Sequence, residues 1–300
     1  IGGSPLTQLL TDGKNKESLE KAYDQMAETI RWARKNAPSV ATVFITSDVF
    51  SLGGAQAVQE IAYTFGVAVE YVREMLKRGI SIHDIAQSFY FGFNVGATFF
   101  IEIAKLRAAR QVWSNIMKAF GAEEEDRSMK IHAKPAFFTK TIFDVGVNML
   151  RNTTEAFSAV VGAPYDDTVR KGDEFSRRIA RNLQIMLQEE FGMLRPIDAA
   201  GGSWAIEKLT KEMAEKIWAE FQKIESLGGM TKAIKEGYPQ KEIKAVLEKR
   251  FKALDLRKDR AVGNNMYPLM GEVLLEARPE DTEAIKKELG DAAKAYRADL

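Results

Sequence analysis

Cysteine is absent from the 300 residues, and histidine occurs only twice, at His83 and His132. Disulfides, thiolate nucleophiles and cysteine metal sites are therefore excluded. With two imidazoles far apart in the sequence and no ligands spaced around them, no metal site is expected. A surplus of charge is missing as well: 43 basic side chains face 42 acidic ones, for a net charge of +1. A nucleic-acid binder would carry a basic excess, so that class of partner is set aside. Long hydrophobic runs are lacking too. The most apolar segment, residues 85–104, is interrupted by Gln87, Ser88, Asn94 and Glu102, so no membrane span is expected. The opening Ile1-Gly2-Gly3-Ser4-Pro5 has neither the basic nor the apolar region of a signal peptide. These absences fit a cytoplasmic protein. The first residue is not Met, which fits either processing or a fragment of a longer chain.

What is present is a regular alternation of helical patterns and short apolar runs. Residues 16–36 have a helical period, with Leu19, Tyr23, Met26, Ile30 and Trp32 near one face. Pro38 ends that pattern, and residues 41–47 (ATVFITS) follow as a β-branched strand. Gly53-Gly54 opens a helix over residues 55–78, closed by Gly79. Residues 81–86 form a helical turn, 88–92 a strand, 99–121 an amphipathic helix, 129–133 a strand, and 141–161 and 174–190 two helices. A repeating strand–helix order implies a parallel sheet with helices outside it. At this length a (β/α) barrel leads. At most five strands are legible, the others lying near Ile1 and Ala163. The fold class is therefore α/β, a partial or degenerate TIM barrel followed by a helical C-terminal segment. Residues 1–195 are read as the barrel region, its first strands missing, and 196–300 as a helical extension packed on it. The tail, residues 281–300, reads as a solvated amphipathic helix.

Literal strings carry more than periodicity. The segment FFIEIAKLRAAR at residues 99–110 closely resembles a signature of the methylmalonyl-CoA mutase family, the cobalamin-dependent acyl-CoA mutases. Four further segments, in order, are similar to motifs of that family: FSRRIARNLQ from Phe175, PIDAAGGSWAIEKLT from Pro196, IESLGGMTKAIKEGYPQKEI from Ile224 and RAVGNNMYP from Arg260. The resemblance implies an isomerase scaffold, a TIM barrel enclosing an acyl-CoA, with adenosylcobalamin presented by a separate C-terminal domain. The cofactor would carry the radical chemistry and the protein would supply position and shielding.

The positions that the resemblance marks as catalytic are mostly altered. The strand before Gly53-Gly54 should end in G-Y-H, whose Tyr drives homolysis and whose His polarises the thioester carbonyl. Asp48 stands at the Tyr position and Val49 at the His position. Valine donates no hydrogen bond. Gly2 stands at an expected Gln and Asp12 where a substrate-binding Arg falls; an Asp there would repel a substrate carboxylate. The H-S-Q-T-S-G-W motif becomes a segment in which His132 is kept and Lys134 replaces the Gln. His132 and Lys134 are the candidate substrate or CoA contacts. A Q-S-L-H-T-N strand is absent between Gly162 and Phe175, roughly 5–7 residues; a deleted barrel stave and omitted residues account for this equally.

No intact catalytic set is thus expected. The chain is most like the small, noncatalytic subunit of heterodimeric mutases, the opening IGGSPLTQLL included. The implied partners are a catalytic large mutase subunit or a cobalamin-binding subunit, with acyl-CoA as a candidate ligand. No D-x-H-x-x-G string is present, so this chain alone is expected to bind no cofactor, adenosylcobalamin lying on a partner or elsewhere in the complex. The alternative is a divergent acyl-CoA mutase using Asp48 and Lys134 with a separate cobalamin-binding chain. An open polar channel would favour the enzyme, and a mouth plugged by Phe50, Phe137 and Phe138 the scaffold. Four readings remain bland: Gly53-Gly54 and Gly201-Gly202-Ser203 as turns rather than phosphate cradles, the run 123–126 as a solvated acidic loop, and His83 as a helix-start surface residue. Lys105, Arg107 and Arg110 could meet CoA phosphates, solvent or a partner.

Overall fold

A computed structural model of the chain describes residues 4–13, 17–162, 166–167, 174–193, 195 and 197–271. The elements are α1 (Pro5–Asp12), α2 (Leu19–Asn36), β1 (Val43–Thr46), α3 (Asp48–Leu52), α4 (Ala57–Lys77), α5 (Ile82–Ser88), β2 (Phe89–Val95) and α6 (Phe99–Ala119). There follow a 3-10 turn (Glu124–Arg127), β3 (Ile131–Pro135), a second 3-10 turn (Phe137–Thr139), α7 (Val145–Gly162), β4 (Asp166–Asp167), α8 (Glu174–Glu189), α9 (Trp204–Ser226), α10 (Met230–Lys235) and α11 (Tyr238–Asp255). The expectations near Ile1 and over residues 281–300 fall outside the described residues.

The four strands pair in chain order, all parallel, with Val43 opposite Phe89, Phe91 opposite Ile131 and His132 opposite Asp166. Parallel neighbours need crossover connections, and helices supply them. Strand alternation splits the sheet into two faces. Val43, Ile45, Phe89, Phe91, Phe93, Ile131 and Ala133 are buried in the main core. There the Phe91 ring meets Trp113 of α6 edge-on at 4.7 Å, and Phe65 of α4 at 6.2 Å. The other face carries Phe44, Tyr90 and His132, whose rings lie 6.0 to 6.4 Å apart. Gly92 makes this possible: a Cβ there would come 2.6 Å from Cζ of Phe44. The sheet is a parallel α/β sheet of the kind a barrel is built from.

One helix reading needs correction. On α2 the buried side chains are Tyr23, Met26, Ala27, Ile30 and Ala33, spaced by three or four, whereas Trp32 lies off that stripe and is 63% exposed. Helix α6 is buried on more than one stripe, Ala104, Lys105, Ala108 and Ala109 included. Met213, Ile217, Phe221 and Ile224 of α9 join the same core as Ala108 and Ala109, while Lys105 is enclosed by Glu60 of α4 and Asn94 of β2.

Candidate functional site

The candidate site lies at the carboxyl ends of β1, β2 and β3, where functional groups collect in parallel α/β sheets. Asp48 begins α3 directly after β1. Its Oδ1 accepts a hydrogen bond from Asn94 Nδ2 at 2.9 Å, and its Oδ2 receives Lys134 Nζ at 2.5 Å. Burial would push the Asp48 carboxyl up, but the Lys134 charge and hydrogen bonds from Lys134, Asn94 and Thr46 outweigh it and hold the group below the usual range.

Beneath this pair is a buried polar network. The Ser47 hydroxyl donates to Glu60 Oε1 at 2.6 Å, and the Asn94 backbone N–H donates to the same oxygen at 2.8 Å. Lys105 Nζ meets Glu60 Oε2 at 3.0 Å and Glu102 at 2.5 Å, and also donates to the Asn94 carbonyl. Two carboxylates thus share one ammonium that is 1% exposed. Burial opposes the Lys105 charge, yet the two carboxylates hold its pKa above the ordinary value. Burial pushes the Glu102 carboxyl up, against the pull of Lys105. Nearby, Lys140 pairs with the buried Glu155 at 2.5 Å.

The expected site residues divide accordingly. Asp48 and Lys134 are brought together across 86 positions. Val49 is buried in α3, 5% exposed. His132 is 8% exposed among the rings of Phe44 and Tyr90. Gly2, most of the 163–173 segment and the side chain of Asp12 fall outside the described residues. Phe50 does not plug the mouth: it is 1% exposed and packs edge-on against Tyr63 of α4, because α3 turns it into the helix layer. Phe138 instead lies under the Arg250 guanidinium, 3.5 Å from the ring centre, as α11 crosses the second 3-10 turn.

The basic run of α6 turns out to hold the fold. Lys105 belongs to the buried network. Arg107 grips both carboxylate oxygens of Asp198 at 2.8 and 2.9 Å and reaches Glu207 at 2.8 Å and Thr210 at 3.0 Å. It thereby ties the 197–203 connector and α9 to α6. Arg110 is largely withdrawn from solvent, and burial lowers its pKa. The glycine pairs are turns: Gly54 has φ 99° with Leu247 of α11 against it, and the Gly202 N–H is capped by Glu207 at 3.0 Å. Sequence reasoning missed Glu60, Asn94 and Glu102. The only signal was polar residues in otherwise apolar stretches, a pattern that marks a buried network when a lysine lies on the same face.

The sequence model described as methylmalonyl-CoA mutase matches residues 1–299. The chain belongs to the methylmalonyl-CoA mutase family. It is 38% identical over 269 residues to the methylmalonyl-CoA mutase of Cereibacter sphaeroides, covering 87% of this chain and 38% of that protein. With the methylmalonyl-CoA mutase small subunit of Porphyromonas gingivalis it shares 34% over 250 residues, 80% of this chain and 40% of the other. With the large subunit from Propionibacterium freudenreichii subsp. shermanii it shares 32% over 271 residues, 88% and 37%. The chain therefore spans about two fifths of the length of these relatives.

Among the described residues, both histidines are engaged within the fold. His132 is enclosed between aromatic rings, and His83 lies at the opposite end of the sheet with its Nδ1 against Asp126. Among the described residues, no helix is long and apolar enough to cross a membrane.

Proposed function

We propose that this chain is part of a small-subunit-like component of a methylmalonyl-CoA mutase, contributing structure rather than catalysis to an acyl-CoA isomerase. The observation that carries the reading is the Asp48–Lys134 ion pair. The resemblance assigns a Tyr and a Gln to these two positions, and here each charge is neutralised by the other. A carboxylate locked to an ammonium neither drives homolysis nor hydrogen-bonds a thioester carbonyl, and Val49 beside it is inert.

The barrel reading extends the four parallel strands to a closed or partial TIM barrel, with residues 1–195 as the barrel region and 196–300 as its extension. A partner is supported by exposed apolar side chains on neighbouring elements: Ile142, Met149 and Leu150 on and before α7, and Phe175 and Ile185 on α8. On this reading the occupant is a catalytic large subunit, which brings adenosylcobalamin with it or from a further chain.

The test is co-purification of the native protein with the large mutase subunit of its own source, followed by mutase assays with adenosylcobalamin. A stable complex, active only through the large subunit, is the expected result. Turnover of any acyl-CoA by this protein with only a small cobalamin-binding chain added would overturn the reading and make Asp48 and Lys134 catalytic.

A further inference from the structure

The amino-terminal end of the sheet carries a second cluster, independent of the proposed function. His83 sits in the first turn of α5, just before β2, and Glu125 and Asp126 sit in the 3-10 turn before β3. Each offers one ligand atom, and the three atoms lie within 4.8 Å of one another. His83 and Asp126 are 43 positions apart, a separation that hid the cluster from the sequence. His83 and Glu125 are exposed and Asp126 is buried.

A separate observation concerns charge. The buried acids among the described residues are Glu60, Glu102, Asp126 and Glu155. Three of them have a lysine, at 3.0, 2.5 and 2.5 Å. Asp126, 4% exposed, has none: among the described residues its carboxylate is hydrogen-bonded to the His83 ring at 2.9 Å and to the Gln87 amide at 3.3 Å. The Lys130 ammonium beside Gln87 is bonded to the oxygens of that residue instead. A carboxylate removed from water needs a positive charge against it. Here the position for that charge is ringed by a second carboxylate and an imidazole.

We infer that His83, Glu125 and Asp126 form a site for a divalent transition-metal ion of the zinc class. One imidazole nitrogen and two carboxylates match the donors zinc accepts, and the imidazole selects against Mg2+ and Ca2+, which prefer oxygen alone. Gln87 holds the Asp126 carboxylate from behind, as outer partners of metal ligands do. The ion would staple α5 to the turn that feeds β3, and three protein ligands leave coordination positions for water.

The composition makes the test clean. There is no cysteine, and the other histidine, His132, is buried in the sheet. Untagged, chelator-stripped protein is titrated calorimetrically with Zn2+ at pH 7.5, with Mg2+ and Ca2+ as separate arms. The expected result is one saturable equivalent of zinc at micromolar affinity, at least tenfold weaker binding by His83→Ala, and a several-fold loss in Glu125→Gln. Both substitutions are at exposed positions, so the fold is kept; circular dichroism of the metal-free variants checks this. Absence of a saturable equivalent, unchanged binding in His83→Ala, or equal affinity for Ca2+ would each overturn the inference. So would a His83 imidazole NMR titration that zinc leaves unmoved, since a proton would then be the counter-charge.

Discussion

Lys134 Nζ lies 2.5 Å from Asp48 Oδ2, joining the carboxyl end of β3 to the start of α3. Between them stands Asn94 at the end of β2, whose amide donates to the other Asp48 oxygen. Three strand ends are thus tied by one carboxylate, and its ionisation becomes part of the stability of the fold.

The pH dependence follows from the sign of the shift. The folded-state pKa of Asp48 lies below its ordinary value of 3.8, so the pair contributes stability above that value and loses it as pH falls through the lower folded value. Asp48→Asn should flatten the acid limb of a urea-melt series between neutrality and acid. Lys134→Ala should flatten it likewise, and the double variant should add little. Independent, additive effects would show that the pair is not a unit.

The buried triad should be far more sensitive. Lys105→Met leaves Glu60 withdrawn from water without its cation, which costs about 3–5 kcal/mol. Glu102→Gln should cost much less, because burial already pushes that carboxyl toward its neutral form. The wild-type contribution of Glu102 is full below its ordinary 4.5 and is lost as pH rises through the raised folded value. Denaturant unfolding of both variants at neutral pH checks the order; a larger loss in Glu102→Gln would reverse it.

Close approach across the sheet gives a steric prediction. With Phe44 Cζ only 2.6 Å from where its Cβ would lie, Gly92→Ala should destabilise by about 1–3 kcal/mol. Phe44→Leu in the same chain should recover part of that loss, so a double-mutant cycle should show coupling.

Arg107→Lys keeps the charge but loses the fork that grips Asp198. Faster amide hydrogen exchange in residues 197–203 and in the first turn of α9 is the expected outcome. Unchanged protection there would mean that packing of Ile206 and Ala200 alone holds the connector.

Much of the framework was legible in the chain itself. The strand runs at residues 41–47, 88–92 and 129–133 fall on β1, β2 and β3, because buried parallel strands are written as apolar, β-branched and aromatic stretches. Helix positions followed from period and from stops such as Gly79 and Gly121. The five ordered motifs carried the family. These signals are local, each set by neighbours a few positions away.

What tertiary structure decided is the fate of the charges. Glu102 lies three residues before Lys105 on α6, but nothing local distinguishes this lysine, 1% exposed, from a solvated one in an i,i+3 pair; packing of α4 against α6 must first bring Glu60 to it. The meeting of Asp48 with Lys134, of Arg107 with Asp198 and of His83 with Asp126 spans 86, 91 and 43 positions. A charge interacts through space and not along the chain, so its partner is fixed only when the parallel sheet and its helices set the distances.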